Sequence, residues 1–345
     1  MHMKQFFAIL TLSLLPLAQK SPDDRITLKL DTSESDAVLA ILDATAAQRP
    51  ATAEEWHRLF TCEPYVRLKK REASMHRELS DEDFKRFVLS PELAARRKEL
   101  AQTLERWKHA DLRSAAGNIL PYLPADARIR ASVYPVIKPQ SNSFVFETNS
   151  DPAIFLYLDP EKPEASFQNT VAHEMHHIGL ANANAAYGKI ADSAPEPKRE
   201  VLTWIGAFGE GLAVLAAAGS TDVHPMQSEP EADRIRWDQD MKFWTRQFGD
   251  VNQFFLDTLH GGFKDKEVTD HVGFHFFGYR GAWYQGGYKM AVVVEKKYGR
   301  AALIEGMADP RKLLLRYNQA AGEINATGPA EKLPLWSDEV VAALR

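Results

Sequence analysis

The sequence predicts an α+β protein, predominantly α-helical, a helical bundle-like body with a small antiparallel sheet placed directly before a histidine-bearing helix. Three observations carry this. Apolar residues recur at helical spacing over most of the 345 residues, as they do where one helix face is buried. Three short runs rich in β-branched and aromatic residues sit together, from Arg128 to Ile137, Ser143 to Glu147 and Ala153 to Leu158. Directly after them comes Val171-Ala172-His173-Glu174-Met175-His176-His177, again on a helical pattern.

Taken in order, Lys4 precedes the apolar run Phe6 to Leu15, and Pro16-Leu17-Ala18 offers a small residue for cleavage. This reads as a secretory signal peptide over residues 1–18, too short to span a bilayer. A buried N-terminal helix is the competing reading. Residues 19–125 form an expected helical lobe. Thr52-Ala53-Glu54-Glu55 is a capping box opening a helix with Trp56, Leu59 and Phe60. Ser80 and Ser90-Pro91 mark further helix starts, and Leu93, Leu100, Leu104 and Trp107 form one stripe. Residues 126–345, integrated with this lobe, begin with the three strands, the first two joined by a Pro-Gln-Ser-Asn turn.

In the next helix, Pro163 and Glu164 suit the first turn and Gly179 the stop, with Phe167, Val171, Met175 and Ile178 as the buried stripe. His173 and His177, four residues apart, stack on one face and are spaced to hold one metal ion. Glu174 lies about 100° round the helix, within reach of a water on that ion. The plain alternative is a helix whose histidines are surface or satisfied core residues.

A catalytic zinc site needs a third protein ligand and an open position. Glu210 is the one charged residue in the apolar run Val201 to Leu215, flanked by Gly209 and Gly211. Burying a lone carboxylate is costly without a cation, which a metal would provide, although an Arg elsewhere would serve too. Glu200, beside Lys198 and Arg199, reads as a solvated helix start.

These residues resemble the gluzincin metallopeptidases, in which the third zinc ligand is a Glu on a later helix. More narrowly, they are similar to an uncharacterised bacterial family described as putative zinc-dependent peptidases. The resemblance covers about the C-terminal two thirds of the chain and extends to Tyr284-Gln285-Gly286-Gly287-Tyr288-Lys289-Met290. It implies His173, His177 and Glu210 as Zn2+ ligands, Glu174 as the catalytic carboxylate, and a peptide or protein substrate. The gap from His177 to Glu210 is longer than in the thermolysin-like branch, so the thermolysin substrate pocket is not carried over.

Such chemistry also needs a donor for the developing oxyanion. Tyr288 and Tyr284, one turn apart on one helix face, are the first candidates and His275 the next; each reads equally as a packed aromatic or a satisfied histidine. Ala181 to Lys198 reads as a polar connection of lid-like length. Ile235, Trp237, Met241, Trp244, Phe248, Phe254 and Phe255 mark later core helices.

Two other metal arrangements compete. Glu54-x-x-His57 and Glu174-x-x-His177 are the paired motifs of a di-iron bundle. His271 and His275 are also four apart, but nearby glycines weaken the helix they need. An exported binding or structural protein that kept the fold without turnover is the third alternative.

The net charge of −5 and the absence of basic clusters argue against nucleic acid or an anionic membrane as partners. Cys62 is the single cysteine, so no intramolecular disulfide forms, which suits a bacterial periplasm or exterior for an exported chain. No segment after the signal is expected to span a membrane.

Overall fold

The computed structural model describes residues 25–345; the expected signal segment, residues 1–18, lies outside them. β1 (Ile26–Leu30) is followed by a helical array: α1 (Ser33–Ala46), α2 (Ala53–Thr61), α3 (Glu63–Ser74), α4 (Asp81–Val88), α5 (Pro91–Lys108) and α6 (Leu112–Ile119). Then come β2 (Ile129–Val136), β3 (Phe144–Phe146) and β4 (Ala153–Tyr157). The rest is helical: α7 (Glu164–Ser193), α8 (Lys198–Ile205), α9 (Gly209–Ala218), α10 (Glu231–Asp240), α11 (Trp244–Leu259), α12 (Lys266–His275), α13 (Ala282–Tyr298), α14 (Arg300–Ala308), α15 (Pro310–Ala326) and α16 (Asp338–Ala343). The expected helix-dominated fold with a small sheet ahead of the His-Glu helix is what forms.

Local chemistry sets the helix starts. The Thr52 hydroxyl accepts from the Glu55 N–H while the Glu55 carboxylate accepts from the Thr52 N–H, closing the capping box. The Ser80 and Ser90 hydroxyls accept from the N–H groups of Asp83 and Leu93 in the same way.

The sheet is mixed rather than purely antiparallel. Its strand order is β1-β2-β4-β3. β1, which the sequence pattern did not announce, pairs parallel with β2, and β2 pairs parallel with β4. Only β3 runs antiparallel, on β4, with Phe144 opposite Phe155. The expected hairpin between the first two runs therefore does not pair; the chain crosses over and leaves β3 at the edge. β2 is buried on both faces over Val133–Val136, which is why its apolar run carries little alternation.

α7 is longer than the sequence implied. It continues through Gly179 to Ser193, so Ala181 to Lys198 is no loop; its alanines favour helix. Gly179 is a close approach rather than a stop, because a Cβ there would lie 2.4 Å from Leu123. The buried stripe of Phe167, Val171, Met175 and Ile178 forms as expected, and Trp107 of α5 stacks on Phe167 at 4.0 Å between centroids.

The stretch Lys198–Ala218 is long and apolar enough by composition to cross a membrane, contrary to expectation, but it is mostly buried within the protein. It is broken by a 3-10 turn at Gly206–Phe208, and residues Gly211 to Ala218 are all buried. α9 is thus a core helix, packed against α7 and α13. Ile235, by contrast, is exposed, while Trp237, Phe248, Phe254 and Phe255 enter the core. α12 forms despite Gly273, whose missing side chain admits the Trp204 ring; a Cβ would meet that ring at 2.4 Å.

Candidate metal centre

α7 and α9 deliver three donor groups to one point. Helical periodicity alone sets His173 above His177, and their Nε2 atoms stand 3.1 Å apart. Glu210, in the first turn of α9, brings Oε2 to 3.1 Å from His173 Nε2 and 3.6 Å from His177 Nε2. Nitrogen and oxygen ligands at about 2.0–2.2 Å from a tetrahedral zinc lie roughly 3.3–3.5 Å from one another. The observed 3.1–3.6 Å therefore fits one divalent ion with shifts of a few tenths of an ångström. Among the described residues, this is the grouping of three such donors within 4.8 Å.

Burial favours the neutral carboxyl of Glu210, yet His177 and His173 outweigh it and hold the group well below the usual carboxylate range. Burial likewise opposes a charged His177, but the Glu210 carboxylate prevails and pushes its pKa up to about 9. The donor set thus gathers a proton in the place a cation would take. Glu174 is almost fully buried beside it, and that burial pushes its pKa up, while the two histidines pull it down and Glu210 pushes it up again. A carboxylate with a raised pKa, close to but outside the ligand set, is suited to taking a proton. His176 is fully buried and neutral, its pKa driven well below the imidazole range by burial and by its neighbouring histidines.

α13 closes the centre through glycine contacts. A Cβ on Gly211 would lie 2.1 Å from Tyr288 N and 2.3 Å from Tyr284 O. The two backbones touch, and no side chain fits between them. Gly209, the other glycine flanking Glu210, has open space around its α-carbon.

The close approach sets the Tyr284 ring nearly parallel to that of His173, centroids 6.3 Å apart. Burial and the adjacent Glu210 carboxylate both push the Tyr284 phenol up, so it stays a protonated donor. Tyr288 sits elsewhere: it packs edge-on against Trp237 at 5.6 Å and lines neither cavity at the centre. His275 is exposed at the end of α12 and also lines neither. Glu54 and His57 lie exposed on α2, apart from the cluster, and His271 is exposed on α12.

Of the cavities that reach the cluster, two share Ser143, His173, Glu174 and Tyr284 in their walls. One, of about 600 Å³, runs along the C-terminal half of α7 past Asn184 and Gly188 and along β3 at Phe144 and Val145. The other, of about 260 Å³, runs toward the start of α7 past Asn169 and Thr170 and reaches Lys162, Glu229 and Arg280. The sequence reading did not single out Lys162, Glu229 or Arg280. No local signal marks them, since they meet only in three dimensions.

A family model described as "Putative zinc dependent peptidase (DUF5700)" matches residues 56–326. No curated protein and no solved structure matches the chain.

Proposed function

The chain belongs to this family of putative zinc-dependent peptidases, and we propose that it is a gluzincin-type zinc hydrolase that cleaves peptide bonds. The observation that carries the reading is the convergence of His173, His177 and Glu210 at 3.1–3.6 Å with the buried Glu174 beside them. Two imidazoles and one carboxylate are the donor set expected of a catalytic zinc, with a position left for solvent or substrate.

When bound, zinc would supply Lewis acidity, polarising a scissile carbonyl and acidifying a water. Glu174 takes the proton of the attacking water and passes it to the leaving nitrogen. Its buried setting raises its proton affinity above that of an ordinary carboxylate, which favours accepting the water's proton. The Tyr284 hydroxyl, lining both cavities, donates to the carbonyl oxygen as it gains charge. β3, at the sheet edge, offers unpaired main-chain groups to an extended peptide. Export belongs to the same reading, supported by the lysine-led apolar run Phe6 to Leu15 and the small Ala18 after it.

Metal analysis of the purified protein beside His177→Ala tests this. About one zinc per chain, lost in the variant, together with peptide hydrolysis abolished by Glu174→Gln, is the expected result. Two iron atoms per chain, or no metal after zinc is offered, would overturn it.

A further inference from the structure

The two cavities differ in charge as well as size. Glu229 is buried at the end of the smaller one, with the Ser166 hydroxyl donating to it at 2.6 Å. Two cations bind this single carboxylate: Lys162 Nζ at 3.4 Å and Arg280 Nη2 at 3.1 Å. Asp159, the other acid on that wall away from the centre, is paired with Arg96 at 3.7 Å. One positive charge is left over, facing the cavity.

Arg280 is the better placed of the two. It lines the smaller cavity while its Nη2 holds Glu229, and beside it lies the Met226 sulfur, at most a weak acceptor. Its backbone is left-handed at φ 51°, an unfavourable state for a side chain with a Cβ. The turn enforces it. The Gln285 amide donates to the Arg280 carbonyl at 2.8 Å, and Gly281 is pressed so closely on Phe276 O that a Cβ would meet it at 2.6 Å. This turn fixes the direction in which the Arg280 side chain leaves the backbone.

The strand direction tells which end of a substrate reaches Arg280. Along β3, Ser141 and Asn142 precede it at the smaller cavity, and Thr148 and Asn149 follow it at the larger. An antiparallel peptide, the more stable pairing, therefore lays its N-terminal part in the larger cavity and its C-terminal part in the smaller. At about 260 Å³, the smaller lies below the roughly 300–1,000 Å³ of a drug-sized site. Its size matches a short end of chain.

Resting on the peptidase reading above, we propose that Arg280, braced by Glu229, binds the C-terminal carboxylate of peptide substrates, so that the enzyme releases short C-terminal fragments. A guanidinium grips a carboxylate through paired hydrogen bonds, which Lys162 cannot imitate. In the reaction, the water oxygen bonds to the scissile carbonyl carbon and the C–N bond breaks. One water proton ends on the leaving nitrogen. The products are a shortened peptide with a new carboxylate and a short fragment that keeps the original one.

The test is calorimetry on the zinc-loaded Glu174→Gln protein with a random tetrapeptide pool in free-acid and C-terminal-amide forms. The acid pool should bind at least about tenfold tighter, and Arg280→Met in that background should reduce the preference to within about twofold. Arg280→Lys, which keeps the charge on Glu229, should lose most of the preference while melting like the parent. Acid and amide bound alike, or a preference unchanged in Arg280→Met, overturns the proposal. Turnover by the wild-type protein separates the two readings. An amidated decapeptide library cut as fast as its acid counterpart overturns carboxylate recognition and leaves the peptidase. Pools neither bound nor cut overturn both.

Discussion

Gly211 of α9 and Gly287 of α13 face each other in backbone contact: a Cβ on Gly287 would stand 3.1 Å from Gly211 Cα and 2.3 Å from Phe208 O. Glu210 precedes one of these glycines and Tyr284 lies one turn before the other. The contact is therefore what holds the third donor of α9 against the phenol of α13.

Gly211→Ala should cost stability and disturb the centre together. Forcing a methyl into a packed interior typically costs about 1–3 kcal/mol, and here the obstacle is backbone, which cannot rotate away. Chemical unfolding should show that loss, with zinc affinity falling in the same variant. Gly209→Ala, where nothing lies within 4 Å of the added carbon, should leave both unchanged.

Glu174→Gln should lower peptide hydrolysis by roughly 10²–10⁴-fold, the usual weight of a general base, and leave zinc content at about one per chain. Loss of the metal in this variant would make Glu174 a ligand instead.

Tyr284→Phe should lower kcat by about 10²–10³-fold with little change in KM, as expected for one lost oxyanion donor. Tyr288→Phe should match the wild type in kcat, because its ring packs against Trp237 away from both cavities. Equal effects of the two variants would remove Tyr284 from its assigned part.

Chelation should destabilise the protein, and reloading should release a proton. The His177 pKa is pushed up to about 9 without metal, whereas a zinc ligand must be the neutral imidazole. At pH 7, zinc uptake should therefore expel about one proton from this group, and apparent affinity should rise with pH until about pH 9. Calorimetry in buffers of different ionisation enthalpy measures that proton count; zero protons released would contradict it.

Away from the centre, Glu34 gives a stability prediction. It is fully buried, and burial pushes its pKa from 4.5 to about 8 against the Ile137 N–H it accepts. Between pH 4.5 and 8 the unfolded chain has lost this proton while the native state keeps it, so stability falls as pH rises, by up to about 1.4 kcal/mol per pH unit. Glu34→Gln should flatten the decline in that window. Lys138, whose ammonium donates to Asn142 Oδ1, is buried with a pKa lowered to about 7 from 10.5, and it contributes the opposite slope between those values. Urea unfolding across pH 4–10 separates the two; a decline unchanged in Glu34→Gln would exclude it as the source.

Much of this was legible because it is local. Four-residue spacing on a 3.6-residue helix puts His173 and His177 on one face whatever surrounds them. A single carboxylate in the apolar Val201–Leu215 run needs a partner by desolvation alone, which marks Glu210 in the sequence itself. The capping box at Thr52 and Glu55 is likewise complete within four residues.

What the sequence left open depends on parts distant along the chain. Gly179 carries the same one-letter mark whether it ends a helix or admits Leu123, and only the packed neighbour decides. The short β1 gains its identity from pairing with β2 about a hundred residues later; alone it has no hydrogen-bond partner. The choice of Tyr284 over Tyr288, and the meeting of Arg280 with Glu229 and Lys162, follow from how α13 crosses α9 and how the turn after α12 is wound. Periodicity and the cost of burying charge thus pointed to His173, His177 and Glu210 from sequence, because both act within one helix. Side-chain direction and long-range charge pairing belonged to the tertiary structure, because they exist only between segments that folding brings together.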